Sequence, residues 1–558
     1  MTTTNPERRA VVVVGAGPNG ATLANLLGVY GIDTLLIERS EEILPYPRAV
    51  GMDDEALRVF QAAGLADAIA DNLIQNVSMR MFNGDGGCFA DIRPATREFG
   101  WWRRNIFMQQ LAERTLREGI ERFPHVELRL GQEVVGVAQD GDGVNLSVRR
   151  ADGAVYEVRA DYCVAADGGR SPVRELLRIA LVGKTLPRKW VVVDVRNAPV
   201  DAPYTALNCD PRRPNVCIYL PYNYRRWEFM LFEHEDPEVM ASPATLRRLI
   251  APYVRDVEAV EIVSARTYTH HSRVAQRFVD GRIALIGDAA HLSQPWIGQG
   301  LNLGLRDAGN LAWKLAGLVR GQLDPGVLQS YDSERRGHAR AMIDLADTFG
   351  ALLMPTSRAK AWLRDRFFQA ARFLPGVRDY VLQMRFKPMP VYQRGVVLPA
   401  AGRPMVGRMF IQPDVEDAER RRRKLDDVTG PWFAVLGWQV DPQAALGVAE
   451  REFWHGLGAR FVHISRSRSG RGAGERLLSG RGTVCVEDVD NQLAGWFEAH
   501  PGAIVVLRPD RYIAAHTSPD GLPQVTRDFR RFAAPTKESS CISNNESTHL
   551  SPAASPSI

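Results

Sequence analysis

No stretch of this sequence is long and apolar enough to span a membrane, and its opening residues, MTTTNPERRA, lack the apolar core of a signal peptide. Cysteine is sparse: Cys88, Cys163, Cys209, Cys217, Cys485 and Cys541 stand far apart, with no Cys-x-x-Cys pair and no Cys/His ligand spacing. These absences argue against a disulfide framework, a structural metal and a spanning helix, and they predict a reducing, cytoplasmic setting without a membrane partner. A large charge of one sign is missing too. The net charge of +5 suits acidic small molecules but is too small for a nucleic-acid surface. The one dense basic run, Arg421–Lys424, has no interleaved aromatics for base stacking and reads as a solvated helix face.

What is present is glycine at strand ends. The run VVVV at residues 11–14 suits a strand buried on both faces of a parallel sheet, and GAGPNG follows at once. Gly15, Gly17 and Gly20 complete G-x-G-x-x-G, which permits a tight turn, close approach of a pyrophosphate and close packing of the next helix. A second strand, DTLLIER, ends in Glu38, placed where an acid accepts from ribose hydroxyls. CVAADGGRSPVR repeats the logic and puts Asp167 and Gly168 at another strand's C-terminal edge. The most informative segment is GDAAHLSQPWIGQGLN. The strand-like RIALI delivers Asp288, and Gly298, Gly300 and Asn302 open a helix whose unpaired amides can face an electron-rich flat ring. Alone it could be an ordinary α/β connection, but three such motifs exclude a two-motif nicotinamide dehydrogenase.

Other residues leave alternatives open. Arg48 could reach cofactor phosphates or pair with Asp53 or Asp54; Gln109 could hold a cofactor linker or cap a helix. The spacing predicts an α/β first domain over 1–177 containing an antiparallel insertion from Val126 to Val164, and a mostly antiparallel substrate sheet over 178–280. In that sheet Trp227, Phe229 and Leu231 share a core-facing side. Residues 281–390 return to the first domain and add helices, 391–532 form a separate α/β domain, and the Ser/Asn/Pro-rich 533–558 predicts a disordered tail.

As a set, GAGPNG with Glu38, ADGGRSPVR and GDAAHLSQPWIGQGLN resemble the class A flavoprotein aromatic hydroxylases in order and approximate separation. The resemblance implies FAD, with Gly15, Gly17, Gly20, Glu38 and Arg39 at its adenosine end and Arg48 and Gln109 in contact with it. It implies that Asp167 and Gly168 serve both FAD and pyridine nucleotide, that Gly287 and Asp288 hold the ribityl or pyrophosphate part, and that Pro295, Gly298, Gly300 and Asn302 surround the isoalloxazine. YPRAVGMDDEALR, CFADIRPATREFGWWRRN, RTYTHHSRVAQRF, MRFKPMPVY and MFIQP resemble the branch of that family acting on 3-(3-hydroxyphenyl)propionate and 3-hydroxycinnamate, with matching segments from about residue 10 to 520.

That branch implies a Rossmann-like FAD domain, an inserted antiparallel substrate domain and a thioredoxin-like C-terminal domain, here without a redox Cys pair. It also implies ortho hydroxylation of a phenolic acid using NADH or NADPH and dioxygen, through a flavin C4a-hydroperoxide, often in a dimer. A group near the phenol hydroxyl should assist, and Tyr268 and His270 are the candidates, each also readable as structural. His291 reads as packing, and too many arginines compete to name one for the substrate carboxylate. Two positions depart from many relatives: Gln294 stands where they carry proline, and Ile297 where they carry glycine or small polar residues. No Trp-x-Trp-x-x-Pro motif of a halogenase is present. A non-catalytic flavin-binding aromatic sensor is the rival from another class.

Overall fold

In a computed structural model, which describes residues 6–371, 376, 384, 386–466 and 482–534, the VVVV run lies in the strand Glu7–Val14. Its four valines are buried in one core with the helices Pro18–Val29 and Gly300–Val319; Thr34–Ile37 and Val155–Ala165 pair with the strand in parallel, and Val126–Arg129 and Ile283–Leu285 extend the parallel sheet. The C-terminal ends of these strands therefore point the same way. Gly15, Glu38, Asp167 and Asp288 all lie just past such ends, on one edge of the sheet. Between 126 and 164 the expected antiparallel meander consists of Glu133–Gln139, Val144–Arg149 and the first half of Val155–Ala165, whereas Val126–Arg129 joins the parallel sheet.

A second eight-stranded sheet runs in the order His291–Leu292, Glu261–Ala275, Leu181–Arg196, Tyr224–Met230, Asn215–Tyr219, Thr205–Asn208, Met79–Phe82, Cys88–Ile92. It is antiparallel except where Thr205–Asn208 meets Met79–Phe82. Two of its strands come from the first 100 residues, so the sheet is not contained within 178–280. Trp227, Phe229 and Leu231 pack under it with the helix Pro243–Ile250, as core. The opposite face turns Val192, Arg226 and Glu228 toward a cavity.

A third, seven-stranded sheet closes the chain, with the parallel strands Ala434–Trp438, Arg460–Arg466 and Thr483–Asp488 at its centre and Ile504–Leu507 and Ile513–Thr517 antiparallel beyond them. Here the reading of Arg421–Lys424 as a helix face is corrected. Asp417 accepts the amides of Glu419 and Arg421 and turns the chain, so Arg422–Lys424 pairs as an edge strand with Asp414–Glu416. Arg422 and Arg423 stay exposed, which suits an edge that must not recruit another strand. The tail expected to be disordered lies, from residue 535 on, outside the described residues. Among the described residues no helix is long and apolar enough to cross a membrane.

The third sheet is fastened to the rest by buried charge. Arg508 donates two hydrogen bonds of 2.8 Å to Glu334 on the helix Val327–Leu353, and Lys314 and Asn310 of the helix Gly300–Val319 donate to the same carboxylate. Burial pushes the Glu334 carboxyl up, but Arg508 and Lys314 outweigh it and hold it at about 2, against an ordinary 4.5. A depressed folded-state pKa means that this stabilisation is complete above about pH 4.5 and is lost as pH falls toward 2. Arg508→Met leaves part of a buried charge unpaired and should cost about 3–5 kcal/mol in urea unfolding at neutral pH. Unchanged stability would show that the network does not fasten the sheet.

Candidate active site

The site is built where the first sheet's strand ends meet the second sheet's inner face. Gly15 adopts φ +102°, and a Cβ there would lie 2.5 Å from the Ala166 carbonyl oxygen, so only glycine lets the first turn pass this close to the Asp167 loop. A Cβ on Gly20 would stand 1.9 Å from the Gly15 carbonyl oxygen, which forces the helix Pro18–Val29 against the turn. Gly17 differs, because a Cβ there meets nothing within 4 Å. It borders an open cavity of about 540 Å³ into which Glu38, Arg39 and Gly168 also face. Glu38 already accepts from the amides of Ala16 and Ser40, which fixes its carboxylate at the rim.

Further along the cavity, Gly287 turns at φ +59° with the Asn19 amide wedged against it, and Asp288 receives a 2.9 Å hydrogen bond from Arg48. Arg48 thus pairs with Asp288 rather than with Asp53 or Asp54. Gln109 neither caps its helix nor stays free: its carbonyl accepts from the amides of Arg48 and Ala49 and so holds that loop at the cavity wall. Pro295–Ile297 form a single 3-10 turn ending at Gly298 in the left-handed region, and the helix Gly300–Val319 begins without a side-chain cap. Its first amides lie beside the cavity, where the positive end of the helix favours electron-rich groups. Asn302 donates to the Gly298 and Gly51 carbonyls and accepts from the Asp53 amide, pinning the two loops together.

The second sheet closes the other side. Tyr268 and His270 both face the cavity from the strand Glu261–Ala275. His270 stacks on Trp190 with centroids 5.8 Å apart and meets Trp296 edge-on at 5.7 Å; burial lowers its pKa to about 4, so the imidazole is neutral at pH 7. Burial raises the Tyr268 phenol, which keeps its proton. Gln294 and Ile297 both have structural work. The Gln294 carbonyl accepts the Trp296 indole N–H at 2.7 Å and its amide donates to Ser272, while Ile297 packs against Leu303, Met342 and Ala346. His291 is buried and shares a hydrogen bond with Asp307, in keeping with a packing role.

Several contributors were not visible in the sequence. Arg306 and Lys387 bind Asp53 and Glu55 beneath the Gly51 loop. Arg226 pairs with Asp194 and donates to the Pro47 and Arg48 carbonyls. Glu228 and Arg104 line the far end. Only the alternation of the strand Tyr224–Met230, which puts Arg226 and Glu228 on one face, hinted at any of them.

The arrangement fits FAD on its own terms. Asn19 and Asp167 each hold a buried oxygen, Oδ1, without a partner, and both residues line the cavity between the glycine turn and the sheet. Such orphans are costly unless a ligand satisfies them. Gly17, Gly168, Gly298 and Gly300 leave backbone open for close approach.

Strand-end glycines, an acid held at the rim and an uncapped helix opening on one cavity define a dinucleotide-binding flavoprotein. The chain belongs to the FAD binding domain family, which matches residues 8–346; the HcaD C-terminal domain matches 407–532. It is 66% identical over 535 residues, covering 96% of this chain and 98% of the relative, to 3-(3-hydroxy-phenyl)propionate/3-hydroxycinnamic acid hydroxylase 2 of Burkholderia vietnamiensis (strain G4 / LMG 22486). The corresponding hydroxylase of Klebsiella pneumoniae (strain 342) is 42% identical, over 94% of this chain and 95% of that one. Among solved structures, the flavin-dependent monooxygenase PieE, in complex with FAD and substrate, superposes with a TM-score of 0.77 at 25% identity, over 94% of this chain and all of that one.

The two glycines separate folding from binding. Gly20→Ala should lower the melting temperature and the flavin content together, whereas Gly17→Ala, with φ −67° and open space, should fold normally and purify with less flavin. Equal flavin-to-protein absorbance ratios in Gly17→Ala and the parent would show that the turn does not cradle the cofactor.

Proposed function

We propose that this chain is an FAD-dependent monooxygenase that hydroxylates 3-(3-hydroxyphenyl)propionate, and 3-hydroxycinnamate, ortho to the phenol to give the 2,3-dihydroxy acids. The observation that carries this is the continuity of one cavity from the glycine turn at Gly15–Gly17 to the second sheet's inner face, in a chain 66% identical to a hydroxylase of these acids. When bound, FAD would supply the electrophilic oxygen atom from dioxygen at the expense of NADH or NADPH, with a balance of one catechol and one water per nicotinamide oxidised. Glu38 and Arg39 take the adenosine end, Arg48, Gln109, Gly287 and Asp288 the linker, and Pro295, Gly298, Gly300 and Asn302 the ring. Asp167 and Gly168, also on the cavity lining, serve both FAD and the visiting pyridine nucleotide.

This chain's residues then position and protect. Trp296, Val192 and Ile218, with Trp190 packed behind Trp296 and His270, make a wall that excludes water from the reacting ring. The neutral His270 imidazole accepts the phenolic proton's hydrogen bond, raising electron density at the ortho carbon, and Tyr268 donates from the same strand. A cytoplasmic homodimer is the assembly this reading carries with it.

NADH oxidation by the FAD-loaded protein should rise sharply with 3-(3-hydroxyphenyl)propionate, and mass spectrometry should find a product heavier by one oxygen atom. Substrate binding without any stimulation would favour the sensor instead. His270→Phe should retain FAD, lose about 10²-fold in kcat and oxidise NADH without matching product. An unchanged kcat with full coupling would remove His270 from the mechanism.

A further inference from the structure

Six arginines line the cavity. Arg48 is paired with Asp288, Arg103 with Asp54 and Glu98, and Arg226 with Asp194. Arg39 adjoins Glu38, and Arg117 lies near Glu113 at that same adenosine end. Among the described residues Arg39 and Arg117 form no ion pair either, but they stand at the Glu38 end of the cavity, whereas Arg104 stands against the second sheet at Thr205. It is half-buried at the cavity wall, and among the described residues no carboxylate pairs with it. Its Nη1 donates to the Val77 carbonyl at 2.7 Å and the Ser78 carbonyl at 3.3 Å, and its Nη2 donates to the Thr205 hydroxyl at 2.9 Å. These three acceptors are neutral. They fix the plane of the guanidinium but leave its charge uncompensated, with Nε–H and one Nη2 hydrogen unspent.

We infer that Arg104 is the residue that receives the carboxylate of the phenolic acid and so sets the enzyme's preference for acids over neutral phenols. The inference rests on the hydroxylase reading above. Its geometry follows from strand order. Thr205, against which Arg104 is held, and His270 face the same cavity from strands separated by three others, which is four spacings or roughly 19 Å along the curved sheet. Between them the floor carries the apolar Val192, Val216, Ile218 and Leu207, with Arg226 and Glu228 on the middle strand. A ring with a hydroxyl at one end and a three-carbon acid arm at the other matches that pattern of polar end, partly apolar middle and cationic end. Glu228, on the same floor, is buried, and burial raises its carboxyl above the usual range while Arg226 opposes the shift. Burial alone lowers the Arg104 guanidinium to about 10, the signature of a cation lacking its counter-ion. An arriving carboxylate supplies one, in the forked geometry that guanidinium favours.

The test compares Arg104→Gln and Arg104→Lys with the parent, all as FAD-loaded enzyme, on 3-(3-hydroxyphenyl)propionate and on its neutral counterpart 3-propylphenol. Turnover and equilibrium binding, by flavin absorbance change, are read for both. Arg104→Gln should raise KM and Kd for the acid about 10- to 100-fold while leaving 3-propylphenol binding within about twofold, and Arg104→Lys should recover part of the loss. Equal losses for acid and neutral phenol, or none for the acid, would overturn the assignment while the hydroxylase reading stood. Should Arg104→Gln fail to fold, Arg104→Lys decides alone: its losses must fall on the acid and spare the neutral phenol. If the parent enzyme turns over neither compound, the reading on which the inference rests fails instead.

Discussion

The loop that leads into the helix Gly300–Val319 depends on one carboxylate. Asp307, fully buried on the helix Gly300–Val319, accepts from the Gly287 amide at 3.1 Å and from Arg335 at 2.8 Å, and shares a 2.7 Å hydrogen bond with His291. Burial works against its charge, but His291 and Arg335 outweigh it and hold the carboxyl at about 2. Because Gly287 and His291 precede the loop and Asp307 follows it, the loop from Leu292 to Gln299 is tied at both ends to one helix. The turn at Pro295–Ile297 and the left-handed Gly298 then have a fixed base from which to project. Preorganisation of this kind is what a cofactor-driven reaction asks of its protein.

The glycine-rich cradle was legible in the sequence because its chemistry is local. Gly15, Gly17 and Gly20 have their meaning within six residues, and Glu38 follows one helix and one strand later, so spacing alone carries the inference. The Asp167 and Asp288 positions were legible for the same reason, as acids at the ends of short apolar strands. Arg104, Glu228, Lys387 and Arg306 were not, since their partners lie up to 334 positions away in the chain and only folding reveals which charges cancel. The Arg48 alternatives could not be separated for that reason either: Asp288 is 240 residues distant. The basic run at 421–424 misled because periodicity in three or four residues cannot distinguish a helix face from an edge strand, and the deciding signal was the Asp417 turn before it.

The second sheet shows how a substrate surface is made from chain segments that sequence order keeps apart. Met79–Phe82 enters beside Thr205–Asn208 from the far side of the FAD cradle, and Arg104 bridges exactly this junction by donating to Val77, Ser78 and Thr205. The cradle and the substrate sheet are thus one construction. A change at that seam alters both the edge of the sheet and the charge in the cavity, which is why binding of a neutral phenol is the informative control there.

The helix Gly300–Val319 joins these parts at opposite ends. Its first turn offers free amides to the cavity, and nearer its other end Asn310 and Lys314 converge on Glu334, where Arg508 and Asp510 of the third sheet complete the network. A helix that presents unpaired amides cannot gain stability from a cap at that end, so its position must be fixed elsewhere along its length. The third sheet supplies that restraint through buried, fully hydrogen-bonded charge. The described part of that sheet has a single cysteine, Cys485, and so no redox pair to offer chemistry. It holds the far end of the helix whose first turn borders the cavity.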